Sequence, residues 1–247
     1  MEWQDEGLIL GTRRHGESSV IVEAMTRAHG RYLGLVRGGR GKRMQPLLQT
    51  GTQAQLVWRA RLDEHLGTFT VEPLKLCAGA LMASAEALHA ICHAAALLRL
   101  AAERDPQPEL YEAGAGIAAG LGSPGTLPPV LVRFEAEVLA RMGFGLDLTR
   151  CAATGVREDL IYVSPRSGRA VSQAAGEPYK LKLLPLPGFL RETSGSNPPP
   201  GEVMDGFRLT GFFLMRHLFG PRGLPLPEAR GAYLAAIQKR FANEFAV

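Results

Sequence analysis

The sequence predicts an α+β fold in which a small five-stranded β-barrel precedes a helical domain. Five short β-rich segments joined by tight turns occupy about the first 75 residues, as in a small barrel. One of them, residues 53–62, alternates apolar and polar side chains with period two, the pattern of a half-buried antiparallel strand. From about residue 80 to 145 the pattern turns helical and alanine-rich.

Gly7 to Gly11 opens the first strand, which leads through Thr12, Arg13, Arg14 and His15 to a turn at Gly16-Glu17. Ser18 to Thr26, with Val20, Ile21 and Val22, is the second strand; His29-Gly30 is a turn and Arg31 to Arg37 the third strand. Gly38, Gly39 and Gly41 fall within four residues, so the stretch to Lys42 is a loop. In 53–62, Ala54, Leu56, Trp58, Ala60 and Leu62 share one face, and Gln53, Gln55, Val57, Arg59 and Arg61 the other. Asp63-Glu64 turns the chain, and Leu66 to Leu76 returns as the fifth strand. Leu88, Ile91, Ala95 and Leu98 then form one helical face. Asp105-Pro106 and Pro108 end that helix, because proline disfavours helix in the residue before it. A shorter helix covers 109–119, Gly120 to Pro129 is a loop, and Leu131, Phe134, Val138 and Met142 form the next apolar stripe. Residues 149–180 are mixed, with short strands at Leu160–Val163 and Arg169–Val171. Ser194 to Gly201 is a turn-rich loop. Helices follow at about 202–219 and 227–243, the second with Leu234, Ile237 and Phe241 on one face.

The 247 residues, 46% hydrophobic and 21% charged, exclude collagen-like, mucin-like and wholly disordered chains. The net charge of +4 hides its distribution. Residues 1–62 hold ten Lys/Arg and five Asp/Glu, residues 63–150 six and eleven, and residues 151–247 twelve and eight. Between 24 and 62 there are eight basic residues and no acid: Arg27, Arg31, Arg37, Arg40, Lys42, Arg43, Arg59 and Arg61. A field of one sign favours a polyanion or an anionic surface, with a solvated basic face as the plain alternative. Three cysteines, Cys77, Cys92 and Cys151, give no disulfide framework and suit a reducing cytoplasm. The N-terminus lacks the apolar core of a signal peptide, and the uncharged run 113–132 is broken by glycines and prolines. These features lead to the expectation of a soluble cytoplasmic protein with no membrane span.

Few motifs carry chemistry. The loop Gly38-Gly-Arg-Gly-Lys42-Arg43 fails as a nucleotide-hydrolase phosphate loop, since Val36 stands where the first glycine belongs and Arg43 where Ser or Thr would hold magnesium. It fits better as a loop tracking a nucleic-acid backbone, cations neutralising phosphates while glycines permit close approach. His89 and His93 are one helical turn apart but lack the acid of a zinc hydrolase, and read as two partly buried histidines on a packed helix. Cys151-Ala-Ala-Thr154 resembles half of a zinc knuckle; one thiol cannot supply four ligands. The adjacent acids Asp5-Glu6, Asp63-Glu64 and Glu158-Asp159 read as solvated turn residues, and no local nucleophile motif occurs. Among aromatics, Trp58 falls on the apolar face and belongs to the core, whereas Tyr32, between Arg31 and the Gly-Arg loop, is the candidate for stacking on bases.

The run from Asp5 to Arg13, Gly16 to Val22, Thr26, Gly30 and Val36 to Arg40 closely resembles the N-terminus of the RecO family of bacterial recombination-repair mediators. Pro46 to Gln49, Gly51 and Leu56 to Trp58 continue the likeness, as do Arg141 to Leu148, Cys151 to Gly155 and Tyr162 to Ser172. The resemblance implies an OB-fold barrel followed by an all-α domain with a small degenerate zinc-knuckle-like insert. It implies a non-enzymatic, nucleoid-associated protein of the bacterial cytoplasm that binds single- and double-stranded DNA and anneals complementary strands. It implies RecR and the acidic C-terminal tail of SSB as partners in loading RecA onto SSB-coated single strands. Many family members carry a four-cysteine zinc knuckle; this chain keeps only Cys151, so no metal or cofactor is carried over. Leu160, Tyr162 and Val171 are expected to hold that region instead.

The expected domains are therefore residues 1–78, the OB-fold nucleic-acid-binding domain, and residues 79–247, helical with the insert at about 149–180. Arg37, Arg40, Lys42 and Arg43 are the expected phosphate contacts, with Arg13, Arg14, Arg59 and Arg61 as second choices and Tyr32 for stacking; no catalytic or metal residue is expected. Rival readings are an RNA-binding OB protein, an interaction module docking acidic tails, and a hydrolase using the unassigned acids.

Overall fold

A computed structural model describes residues 1–191 and 198–244. The chain divides into two compact units, Met1–Leu127 with Glu228–Ala236, and Pro128–Pro227 with Ile237–Val247.

The first unit is built on five strands: β1 Glu2–His15, β2 Ser19–Thr26, β3 Gly30–Val36, β4 Gln53–Arg59 and β5 Thr68–Lys75. They close into a barrel in the order β1-β2-β3-β5-β4. β1 closes it by pairing antiparallel with β4 over its first half, Glu2↔Arg59 to Leu8↔Gln53, and with β2 over its second, Gly7↔Thr26 to His15↔Ser19. The acidic N-terminus is thus strand rather than lead-in, and the terminal ammonium donates to Ala60 O at 2.6 Å. A β-bulge between Ile9 and Gly11 leaves Leu10 unpaired with β2. Only one residue pair, Leu35↔Thr68, joins β3 to β5, in parallel.

Apolar alternation fills the barrel. Ala54, Leu56 and Trp58 are fully buried, as the period-two pattern requires. Trp3 stacks on Trp58 at 5.7 Å and 15°, and Tyr32 meets Trp58 edge-on at 5.3 Å. The Trp58 indole donates to Leu66 O at 3.1 Å. Gly34 is needed because a Cβ there would come within 2.4 Å of the Phe69 ring. The alternation does not run to its expected end, however: β4 stops at Arg59, the chain turns, and Leu62 is 49% exposed.

Three helices follow in this unit, α1 Ala78–Ala83, α2 Ala85–Leu98 and α3 Pro108–Gly120. Ser84 caps α2 by accepting from the Ala87 N–H at 3.2 Å. The buried face of α2 is Ala87, Ala90, Ile91, Ala94, Leu97 and Leu98; Leu88, expected on that face, is exposed. The helix also ends at Leu98, well before Asp105. The segment after it leaves to join β3: the Arg104 N–H donates to Arg31 O at 2.9 Å, and Arg31 Nε to Ala101 O at 2.9 Å. Gly114 brings α3 close, since a Cβ there would lie 2.8 Å from Leu98 and 3.1 Å from Leu8 of β1.

In the remaining chain α4 runs Leu127–Leu139, so Pro128 and Pro129, expected in a loop, occupy a first helical turn where their missing N–H groups cost nothing. Strands β6 Leu160–Val163 and β7 Ala170–Ser172, the short helix α5 Gln173–Gly176, and β8 Leu184–Pro185 follow. The strands form a small sheet in the order β7-β6-β8. α6 Pro200–Leu214 starts inside the expected loop, of which residues 194–197 lie outside the described residues. Gly206 lets α6 approach Val132 of α4, a Cβ there being 2.8 Å away. Five-residue π turns, Ala140–Phe144 and Met215–Phe219, extend α4 and α6, and Phe144 stacks on His217 at 4.6 Å. The last helix, α7, is Glu228–Glu244; Tyr233 and Ile237 are its fully buried residues, while Leu234 and Phe241 are half-buried.

Trp58→Ala should remove about 3–5 kcal/mol of stability in urea unfolding. Leu62→Ala should change it by less than about 0.5 kcal/mol, because its side chain lies outside the core.

Candidate nucleic-acid interface

One end of the barrel collects cations from two segments. Arg13 and Arg14 sit at the end of β1, where Arg14 pairs with Val20, and Val20 pairs in turn with Val36 of β3. Arg37 follows Val36, and Arg40, Lys42 and Arg43 lie in the connection to β4; all six side chains are exposed. That connection is not an open tip. Gly39 packs so closely on the β1–β2 hairpin that a Cβ would come within 2.4 Å of Val20. The Arg40 N–H donates to Ser18 O at 3.0 Å, and its guanidinium donates to the carbonyls of Gly16 and Glu17. A 3-10 turn, Gln45–Leu48, completes the connection and buries Leu48.

The acid-free run in the sequence divides once the chain is folded. Arg27 pairs with Glu6 at 2.9 Å and Glu112 at 3.2 Å, Arg31 with Glu23 at 2.6 Å, and Arg59 with Glu2 at 2.8 Å. The bond from Arg59 holds the Glu2 carboxyl below its ordinary range. Among the described residues no carboxylate pairs with Arg13, Arg14, Arg37, Arg40, Lys42, Arg43 or Arg61. Arg59 opposes Glu2 and Arg14 lies twelve residues further along β1, about 40 Å of strand. Arg59 and the adjoining Arg61 therefore do not share the cluster of Arg13, Arg14 and Arg37 to Arg43.

A groove of about 340 Å³ opens within that cluster, lined by Thr12, Arg14, Arg40, Gln45, Gln49 and Thr50 among others. Cations with hydroxyl and amide groups are the donor set used on phosphate and sugar oxygens. Thr12, Gln45, Gln49 and Thr50 give no signal in the sequence, since none is charged and Thr12 lies over thirty residues from the other three. Tyr32 departs from expectation. It is 5% exposed, its ring is edge-on to Trp3 at 5.0 Å, and the Arg104 guanidinium covers it at 5.2 Å. Burial first, then the Asp63 carboxylate, pushes its phenol up. Strand alternation turns Tyr32 inward with Gly30 and Gly34, so its ring offers no face to a base.

Asp5 and Glu6, expected in a turn, lie on β1 with structural partners, Asp5 meeting His29 at 3.0 Å and Glu6 meeting Arg27, and Asp63 accepts from the Tyr32 hydroxyl at 3.4 Å. His93 is fully buried on α2. Among the described residues no group of three or more His, Cys, Asp or Glu could hold a metal. Cys151 is buried in a tight turn before β6, its sulfur accepting from Ser172 N at 3.3 Å and Oγ at 3.4 Å. Burial pushes this thiol up, but the donors of Ser172 and Thr154 together outweigh it and bring the pKa down to about 6. Hydrogen bonds to one sulfur thus hold the turn to β7. Leu160 and Val171 are buried beside it and Tyr162 is half-buried.

A closed five-stranded barrel of this strand order, with a cluster of unneutralised cations at one end, is the architecture of the oligonucleotide-binding class. Family models described as Recombination protein O N terminal and C terminal match residues 1–76 and 82–224. The chain belongs to the RecO family. It is 65% identical over 241 residues to the DNA repair protein RecO of Methylocella silvestris, covering 97% of each chain. It is 59% identical over 239 residues to the DNA repair protein RecO of a Chelativorans species, covering 97% of this chain and 96% of the relative. Among the described residues no helix is long and apolar enough to cross a membrane.

The Cys151 geometry makes stability depend on pH. Its folded pKa, about 6, lies below the unfolded value of 9.0, so between the two the unfolded chain binds more protons and stability rises with pH. Relative to Cys151→Ala, the wild type should gain stability as pH rises from 6 to 9 in denaturant titrations, the advantage being complete above pH 9 and absent below pH 6.

Proposed function

We propose that this chain is a DNA repair and recombination mediator that binds single- and double-stranded DNA through the basic end of its barrel and anneals complementary strands without enzymatic turnover. The carrying observation is the set of exposed cations at that end, Arg13, Arg14, Arg37, Lys42 and Arg43 with Arg40, none meeting a carboxylate among the described residues. Charge left uncancelled by the fold is available to replace the counterions of a phosphate backbone. Base pairing between the strands then supplies sequence specificity.

Membership in the RecO family supports the rest of the reading. The protein acts with RecR and engages the acidic tail of SSB, and so helps load RecA onto SSB-coated DNA in the bacterial cytoplasm, at the nucleoid. Residues 1–78 are the DNA-binding part and residues 79–247 the helical part. No metal or cofactor takes part.

Replacing Arg37, Arg40, Lys42 and Arg43 by Ala should weaken single-strand binding and flatten the log K against log salt line by about 0.7 for each phosphate no longer neutralised. Replacing Arg27 and Arg59 should leave that slope unchanged. The test of the whole reading is annealing of complementary strands precoated with SSB. Annealing that fails with the wild type, or that the four-residue variant performs as fast, contradicts it.

A further inference from the structure

The β1–β2 hairpin has a groove on each side. Besides the groove holding Arg14 and Arg40, a second of about 350 Å³ is lined by Thr12, Arg13, Ile21, Glu23, Leu33 and Arg99 together with Gly11. Successive side chains on a strand point to opposite faces, so Arg13 enters one groove and Arg14 the other, while Thr12 borders both. Their volumes are nearly equal, and both stand at the lower end of the range for small-molecule sites.

The second groove is also cationic. Its one acid, Glu23, is cancelled by Arg31 at 2.6 Å and Arg99 at 2.7 Å. Arg99 is held in place by a further bond, Nη2 donating at 2.5 Å to Leu10 O, the carbonyl at the bulge. Arg13 is exposed and meets no carboxylate among the described residues. Beneath these charges the floor is apolar, Ile21 being buried and Leu33 half-buried. An unpaired Arg13 at the rim over an apolar floor suits a single strand, a phosphate on its guanidinium and a base or sugar on the floor.

We propose that this second groove is a separate site for a second DNA strand, so that one chain holds two single strands, one on each side of the β1–β2 hairpin. The inference rests on the proposed DNA-binding function. The hairpin acts as a divider that keeps two strands apart along its sides and lets them meet at its turn, Gly16 to Ser18, where pairing begins.

The test counts strands per protein chain by native mass spectrometry of the full chain. The probe is an oligothymidylate of about 12 nucleotides, within the span that one OB barrel covers and unable to pair with itself. The wild type should carry two strands per chain at saturation, Arg13→Glu one, Arg14→Glu one, and the double variant none, while Arg13→Lys should keep two. Thermal melting of each variant shows that the loss is not unfolding. A wild type that saturates at one strand, or Arg13→Glu that still carries two, overturns the second site. A folded wild type that binds no strand at all overturns the DNA-binding function itself, a different outcome.

Discussion

Strand β1 is fourteen residues long and has two partners, β4 along its first half and β2 along its second. Closure of the barrel depends on it, because no other strand joins β4 to β2. It also carries Trp3 into the aromatic core at one end and Arg13 and Arg14 out of the fold at the other. The bulge between Ile9 and Gly11 separates these tasks. It frees the Leu10 carbonyl for Arg99 and Thr50, whose hydroxyl donates to it at 3.2 Å, and so ties the strand to α2 and to the β3–β4 connection.

From that constraint the electrostatics follow. The half of β1 paired with β4 carries Glu2, Asp5 and Glu6, and these meet Arg59, His29 and Arg27. The other half has no acid, and the connection folded against it brings four more cations. Pairs on an open surface contribute little to stability, but they decide where the field of the barrel is cancelled and where it remains. A polyanion is attracted to the end where it remains. Arg40 shows that one residue can serve both fold and field, pinning the hairpin turn by its bonds to carbonyls while keeping its charge.

Much of this was legible in the sequence. The five strands, the inward set Ala54, Leu56 and Trp58, and the excess of cations between 24 and 62 all report local pattern, and the family likeness rested on residues spread over both family models. What the sequence concealed was non-local. Arg27, Arg31 and Arg59 looked free because their acids lie 21, 8 and 57 positions away. Tyr32 looked like a surface ring because its arginine neighbours are visible in the sequence, whereas its inward parity on β3 is set by the strand's pairing. Leu62 and Leu88 continued a periodicity that the chain itself abandoned, one past the end of β4 and one on the solvent side of α2. Pro128 and Pro129 suggested a loop, although proline is as much at home in the first turn of a helix.

Uncancelled charge, and not basic composition, is the ground on which the DNA site is proposed at this end of the barrel. A residue-resolved hydrogen-exchange footprint of the full chain with a saturating single-stranded oligonucleotide tests this most directly. New protection is expected at residues 12–20 and 37–50, with residues 27–31 and 57–61 unchanged. Protection centred on Arg27 and Arg59, with the hairpin and the Gly-Arg connection unaffected, would contradict it.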